Sequence, residues 1–60
     1  MTTTKPREPG HHAVNEHGAY MEDMIMEHIL GRALRPDEVT WHLNHDPLDN
    51  RNENLYIRKV

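Results

Sequence analysis

No cysteine and no phenylalanine occur in these 60 residues, and that pair of absences narrows the possible folds more than any other feature. Without cysteine there is no disulfide staple, no thiolate zinc site and no cysteine nucleophile. Without phenylalanine, and with one Trp and two Tyr, the core must come from Met, Ile, Leu and Val. A chain of this length lies near the lower limit for burying a core of its own. Added stability is therefore expected from a homodimer or from docking on a larger partner. No apolar run approaches the ~20 residues that span a bilayer. The N-terminus lacks the apolar stretch of a secretory leader, so the expectation is a cytoplasmic protein with no membrane association.

Charge argues against autonomous DNA binding. Ten acidic residues outweigh seven Lys and Arg, for a net charge of −3 with His neutral. Proteins that bind DNA unaided usually carry a basic footprint, because phosphate neutralisation supplies most of their affinity. The nearest candidate is Arg51, Arg58 and Lys59, interrupted by Glu53. Six His add positive charge below pH ~6.5.

Three zones follow along the chain. Residues 1–19 hold Thr2, Thr3 and Thr4, two Pro, two Gly and little apolar content, so they predict a tail that is flexible until bound. Residues 20–60 form the folded module. Within it, Met21, Met24, Ile25, Ile29 and Leu30 recur at helical spacing, with Glu22, Asp23 and Glu27 on the other side. That pattern predicts an amphipathic helix over 20–30. Gly31 suits a left-handed C-cap and Arg32 the negative helix end. Arg35-Pro36-Asp37 starts a loop. Residues 38–43 and 55–60 read as two strands, joined by a turn rich in Asn, Asp and Pro. The fold class predicted is α+β, one helix packed on a β-hairpin. Met21, Met24, Ile25 and Ile29 are expected to face Val39, Trp41, Leu55 or Ile57.

Three blocks carry a more specific signal. They are Leu30-Gly31-Arg32 with Leu34, Glu38-Val39 leading into Trp41-His42, and Asp49-Asn50-Arg51 followed by Glu53-Asn54-Leu55. In this order and spacing the chain resembles the HNH endonucleases of homing and phage type, over roughly residues 20–57. In that family two adjacent residues end the first strand of the hairpin. The first, His or Asp, binds a divalent metal such as Mg2+ or Zn2+, and the second is the His that activates water. The resemblance makes His42 the general base and Asn54 the brace of the loop. The metal position is occupied by Trp41, whose indole nitrogen has no lone pair for a cation. The family's remaining ligand lies on a helix after the second strand, which would begin where this sequence ends. No cofactor is therefore expected, and the resemblance implies a degenerate nuclease lacking that last helix.

Each candidate also has a plainer reading. His42 is either a catalytic base or a hydrogen-bonded strand histidine. His45 and Asp46 read as weak metal candidates or as turn residues bonding the backbone. His11, His12, His17 and His28 would make a zinc site only if a flexible segment were ordered around it. Met21, Met24 and Met26 are core filler or a soft docking surface. Trp41 covers the core, or anchors an interface.

The favoured expectation is a non-catalytic HNH-like protein that binds a host macromolecule and modulates it. Enzymes of this family are common in bacteriophage genomes, so the resemblance implies a phage accessory protein. Trp41 and the acidic helix residues Glu22, Asp23 and Glu27 would face a basic partner surface. The alternatives are a metal-dependent DNA endonuclease using His42, and a DNA-binding accessory protein using Arg51, Arg58 and Lys59.

Overall fold

The computed structural model describes residues 7–60. Helix α1 (Met21–Leu30) is followed by strand β1 (Glu38–His42), a single 3-10 turn (Asn52–Asn54) and strand β2 (Leu55–Lys59). The two strands pair antiparallel, with Trp41 opposite Tyr56 and His42 opposite Leu55. The architecture is α+β, one helix packed on a β-hairpin, as the sequence pattern predicts. No helix among the described residues is long and apolar enough to cross a membrane.

The ends of α1 follow from local chemistry. Tyr20 enters extended at φ −70°, and Gly31 leaves in the left-handed conformation at φ 72°. Its N–H closes the last turn on Glu27 O at 2.9 Å, a position where a Cβ would be strained. The Arg32 backbone N–H also reaches Glu27 O at 3.3 Å, but its side chain leaves the helix end. It turns to β1 and grips Glu38 through both guanidinium nitrogens at 2.8 and 3.0 Å.

The helix is rotated from the expected orientation. Its buried residues are Glu22 and Met26, four apart and therefore on one stripe. Of the expected core set, Met24 and Ile29 are 42% and 45% exposed and are corrected, while Met21 and Ile25 are half-buried. At about 100° per residue, Met24 points away from the stripe defined by Glu22 and Met26. The cause is electrostatic. Glu22 turns inward because Arg7, from outside the helix, supplies its counter-charge. Hydrophobic periodicity could not register that.

The apolar core comprises Met26, Val39 and Leu55, whereas Glu8, Glu22, Glu38, Thr40, His42 and Asn54 are also buried. In this fold the interior is as much polar as apolar.

The expected tail needs a matching correction. Residues 1–6 lie outside the described residues, but 7–19 pack against the module. Asn15 accepts the backbone N–H groups of His17 and Ala19 through its side chain, making a turn. Val14 then bridges Tyr20, and Met21 N–H bonds Ala13 O at 2.9 Å. Arg7 binds Glu22 and Asp23 at 3.0 Å each and stacks over the Tyr20 ring at 3.8 Å. A segment poor in apolar residues is held here by ion pairs and hydrogen bonds.

Hydrogen-bond phase differentiates the two strand edges. Leu43 N–H bonds Asn54 O and Val60 N–H bonds Asp37 O. In an antiparallel ladder the bonding alternates, so Glu38, Thr40 and His42 point their backbone groups away from β2. Leu55, Ile57 and Lys59 likewise point away from β1.

Candidate functional site

His42 ends β1 and is 0% exposed. Its outward N–H meets Glu8 Oε1 at 3.2 Å, and the same oxygen accepts from ring Nδ1 at 2.5 Å. Nε2 lies 2.7 Å from Asn50 Oδ1, so each ring nitrogen faces an oxygen acceptor. Glu8, reached across 34 residues of chain, is itself only 3% exposed. The residues from Arg7 onward therefore run as a strap along the outer edge of β1.

This environment favours the imidazolium. Burial alone would lower the pKa of His42. The hydrogen bonds from both nitrogens to Asn50 and Glu8, with the charges of Glu8 and Glu22, outweigh it and hold the pKa above the ordinary 6.5. Water activation requires a neutral ring with a free lone pair at one nitrogen. In this arrangement His42 offers neither the lone pair nor access.

A second histidine sits behind the first. His12 Nε2 donates to Glu8 O at 2.6 Å, and Nδ1 lies 2.6 Å from Glu22 Oε2 outside the direction of a hydrogen bond. The rings of His12 and His42 are 6.3 Å apart. Arg7, Glu8, His12, Glu22 and His42 thus form one network linking strap, helix and hairpin. Glu8 Oε2, Glu22 Oε1 and Thr40 Oγ1 are buried without a hydrogen-bond partner among the described residues, the usual mark of a strained or hydrated interior.

Asn54 organises the loop on the other side of His42. Its Nδ2 donates to Asp49 O at 2.8 Å and Asn44 Oδ1 at 2.9 Å, and its Oδ1 accepts from Asn44 N–H at 3.2 Å. Asn44 and Asp46 each accept a backbone N–H two residues ahead. His45 takes a left-handed φ of 63°. These local bonds present Asn50 to His42.

The other candidates are dispersed. Trp41 shares its face with Val39, Tyr56 and Arg58, and the Arg58 guanidinium stacks on its indole at 4.2 Å. Arg51 is held by Asp49 at 2.8 and 2.9 Å, an ion pair that lowers the Asp49 pKa to about 2. Lys59 lies 3.8 Å from Asp37 on the strand face opposite Arg58. Arg51, Arg58 and Lys59 therefore make no common patch. Glu22 is buried, Asp23 is paired with Arg7, and Glu27 accepts the N–H of Leu34 at 2.7 Å. The expected acidic partner surface is corrected: its charges serve internal contacts.

The residues do not fit the metal implied by the family resemblance. Trp41 provides no donor, and both nitrogens of His42 are engaged. His45 lies 3.8 Å from Glu8 Oε2, while Asp46 caps Leu48 N–H. His11, His17 and His28 are exposed, whereas His12 is half-buried. No three His, Asp or Glu among the described residues gather as a metal-binding group. Sequence reasoning missed Glu8, His12 and Asn50 as partners in the His42 site. Only the need of a strand histidine for acceptors hinted at them.

Compared with protein-family models, curated proteins and solved structures, the chain matches none.

Proposed function

We propose that this chain is a non-catalytic, phage-encoded relative of the HNH endonucleases that binds a host macromolecule and modulates it. The observation that carries this reading is the enclosure of His42. In the family the equivalent histidine must take a proton from water. Here it is buried, holds acceptors at both nitrogens and favours the charged form. Trp41 in the neighbouring ligand position, stacked by Arg58, points the same way. The dispersed basic side chains and the net charge of −3 favour a protein partner over DNA.

Incubation of plasmid with the protein and magnesium, manganese or zinc tests the catalytic half. No nicking is expected, from wild type or from Trp41→His. Metal-dependent nicking lost in His42→Ala would overturn the reading. Affinity capture from nuclease-treated host lysate tests the binding half. A specific protein should be retained, and its retention should fail for Trp41→Ala. Capture of nucleic acid alone from untreated lysate, weakening steeply with salt, would favour a DNA-binding accessory instead.

A further inference from the structure

The two edges of the hairpin are treated differently. On β1, Glu38 N–H bonds Arg35 O at 3.0 Å and His42 N–H bonds Glu8. On β2, Leu55 N–H bonds Asn52 O. The remaining outward groups without a hydrogen-bond partner among the described residues are Thr40 N–H and C=O on β1, where Thr40 is fully buried, and on β2 Leu55 C=O and both the N–H and C=O of Ile57 and Lys59, where Ile57 is half-exposed and Lys59 exposed. An open row of this kind is a template for another strand. Among the described residues only Met26, Val39 and Leu55 are buried as apolar core, a small core for a domain of this size.

We propose that the occupant is β2 of a second copy, paired antiparallel about a two-fold axis through Ile57. In this register Ile57 N–H of each copy bonds Ile57 C=O of the other, and Lys59 N–H bonds the opposing Leu55 C=O. The phase is correct for bonding at 55, 57 and 59 and leaves the intramolecular ladder intact. Half-exposed Ile57 meets its own counterpart at the axis.

Charge fixes the register. Centred on Ile57, Arg58 lies opposite Tyr56 of the other copy, extending the Arg58–Trp41 stack. Lys59 lies opposite Leu55, with no like charge across from it. A register centred on Arg58 would set two guanidinium groups face to face. One centred on Tyr56 would need residue 53 to be extended, whereas it belongs to the 3-10 turn. This interface would close the open edge and join two hairpins into one four-stranded sheet.

Sedimentation equilibrium from micromolar to millimolar concentration tests the proposal on the full chain. A monomer–dimer equilibrium is expected. Chemical synthesis with N-methyl Ile57 removes the outward donor and leaves every bond between β1 and β2. It should weaken dimerisation by about tenfold to hundredfold, two hydrogen bonds being lost at the axis. In mixed isotope-labelled samples, Tyr56 Hα should show an intermolecular contact to Arg58 Hα. That readout needs only the wild-type chain and applies if the synthetic variant fails to fold. A monomer at millimolar concentration, N-methylated chain that dimerises as tightly as wild type, or another set of Hα contacts would overturn it.

Discussion

His42 is gripped from two sides, and the two grips are built in opposite ways. The loop of residues 43–54 presents Asn50 through bonds between residues two to ten positions apart. The strap presents Glu8 through contacts spanning 15 to 34 residues. The loop is polar, partly exposed and able to form largely by itself. The strap places charged groups in the interior and holds only when the helix and hairpin are already in place. Local bonds thus set the geometry of the site, and distant charge pairs close it.

The largest effect should come from the strap. Glu8→Ala leaves His42 buried beside a void with Nδ1 unpaired, and breaking a buried pair in this way costs about 3–5 kcal/mol. That is a large part of the total stability of a domain this size, so chemical denaturation should show a chain near its folding threshold. Glu8→Gln, which keeps an acceptor oxygen, should lose less. Equal, small losses for both would show that the strap is a passive covering.

Next is the rotated helix. Met26→Ala should cost about 2–5 kcal/mol as a buried large-to-small change. Ile29→Ala, at an exposed site, should fall within about 0.5 kcal/mol of wild type. The reverse ranking would restore the face read from hydrophobic spacing and contradict the placement of Glu22.

The loop should be more forgiving. Asn54→Ala removes three hydrogen bonds and leaves Asp49 O and Asn44 N–H to find water. A loss of about 1–3 kcal/mol is expected by denaturation. The strap contacts, followed through amide exchange at Met21, bonded to Ala13 O, and His42, bonded to Glu8, should survive that change. Loss of protection there would mean that the two grips are one cooperative unit.

The smallest effects are those of pH. His42 has a raised folded pKa, so its contribution is complete below its ordinary value of 6.5 and is lost as pH rises through the folded pKa. Glu38 and Asp49 are lowered to about 2, chiefly by hydrogen bonds from Arg32 and Arg51 respectively. Their contributions are complete above the ordinary carboxylate range and are lost as pH falls toward 2. Thermal melting should be highest between about pH 5 and 6.5. His42→Gln should flatten the alkaline side of that profile and leave the acid side unchanged.

This contrast between grips also explains what the sequence discloses. Helix, hairpin and Gly31 cap are legible because each depends on spacing or on a residue's own backbone preference. The Asn- and Asp-rich turn is legible for the same reason. Glu8 is not, because nothing within ten residues of it marks its carboxylate as buried. Glu22 misleads, since a glutamate on a helix normally faces water, and here its partner Arg7 lies 15 residues earlier. Reading the acidic side of α1 as a partner surface fails for that reason. His42 is recognisable as a special position, but its enclosure depends on both grips together.

The most direct test is nitrogen-15 NMR of the His42 ring across pH. Hydrogen on both Nδ1 and Nε2 is expected below a midpoint that lies above 6.5 and moves down in Glu8→Gln. A neutral ring at pH 7, titrating at or below 6.5 and indifferent to Glu8, would contradict it. A solvent-available lone pair on either nitrogen would then return His42 to the role of a catalytic base.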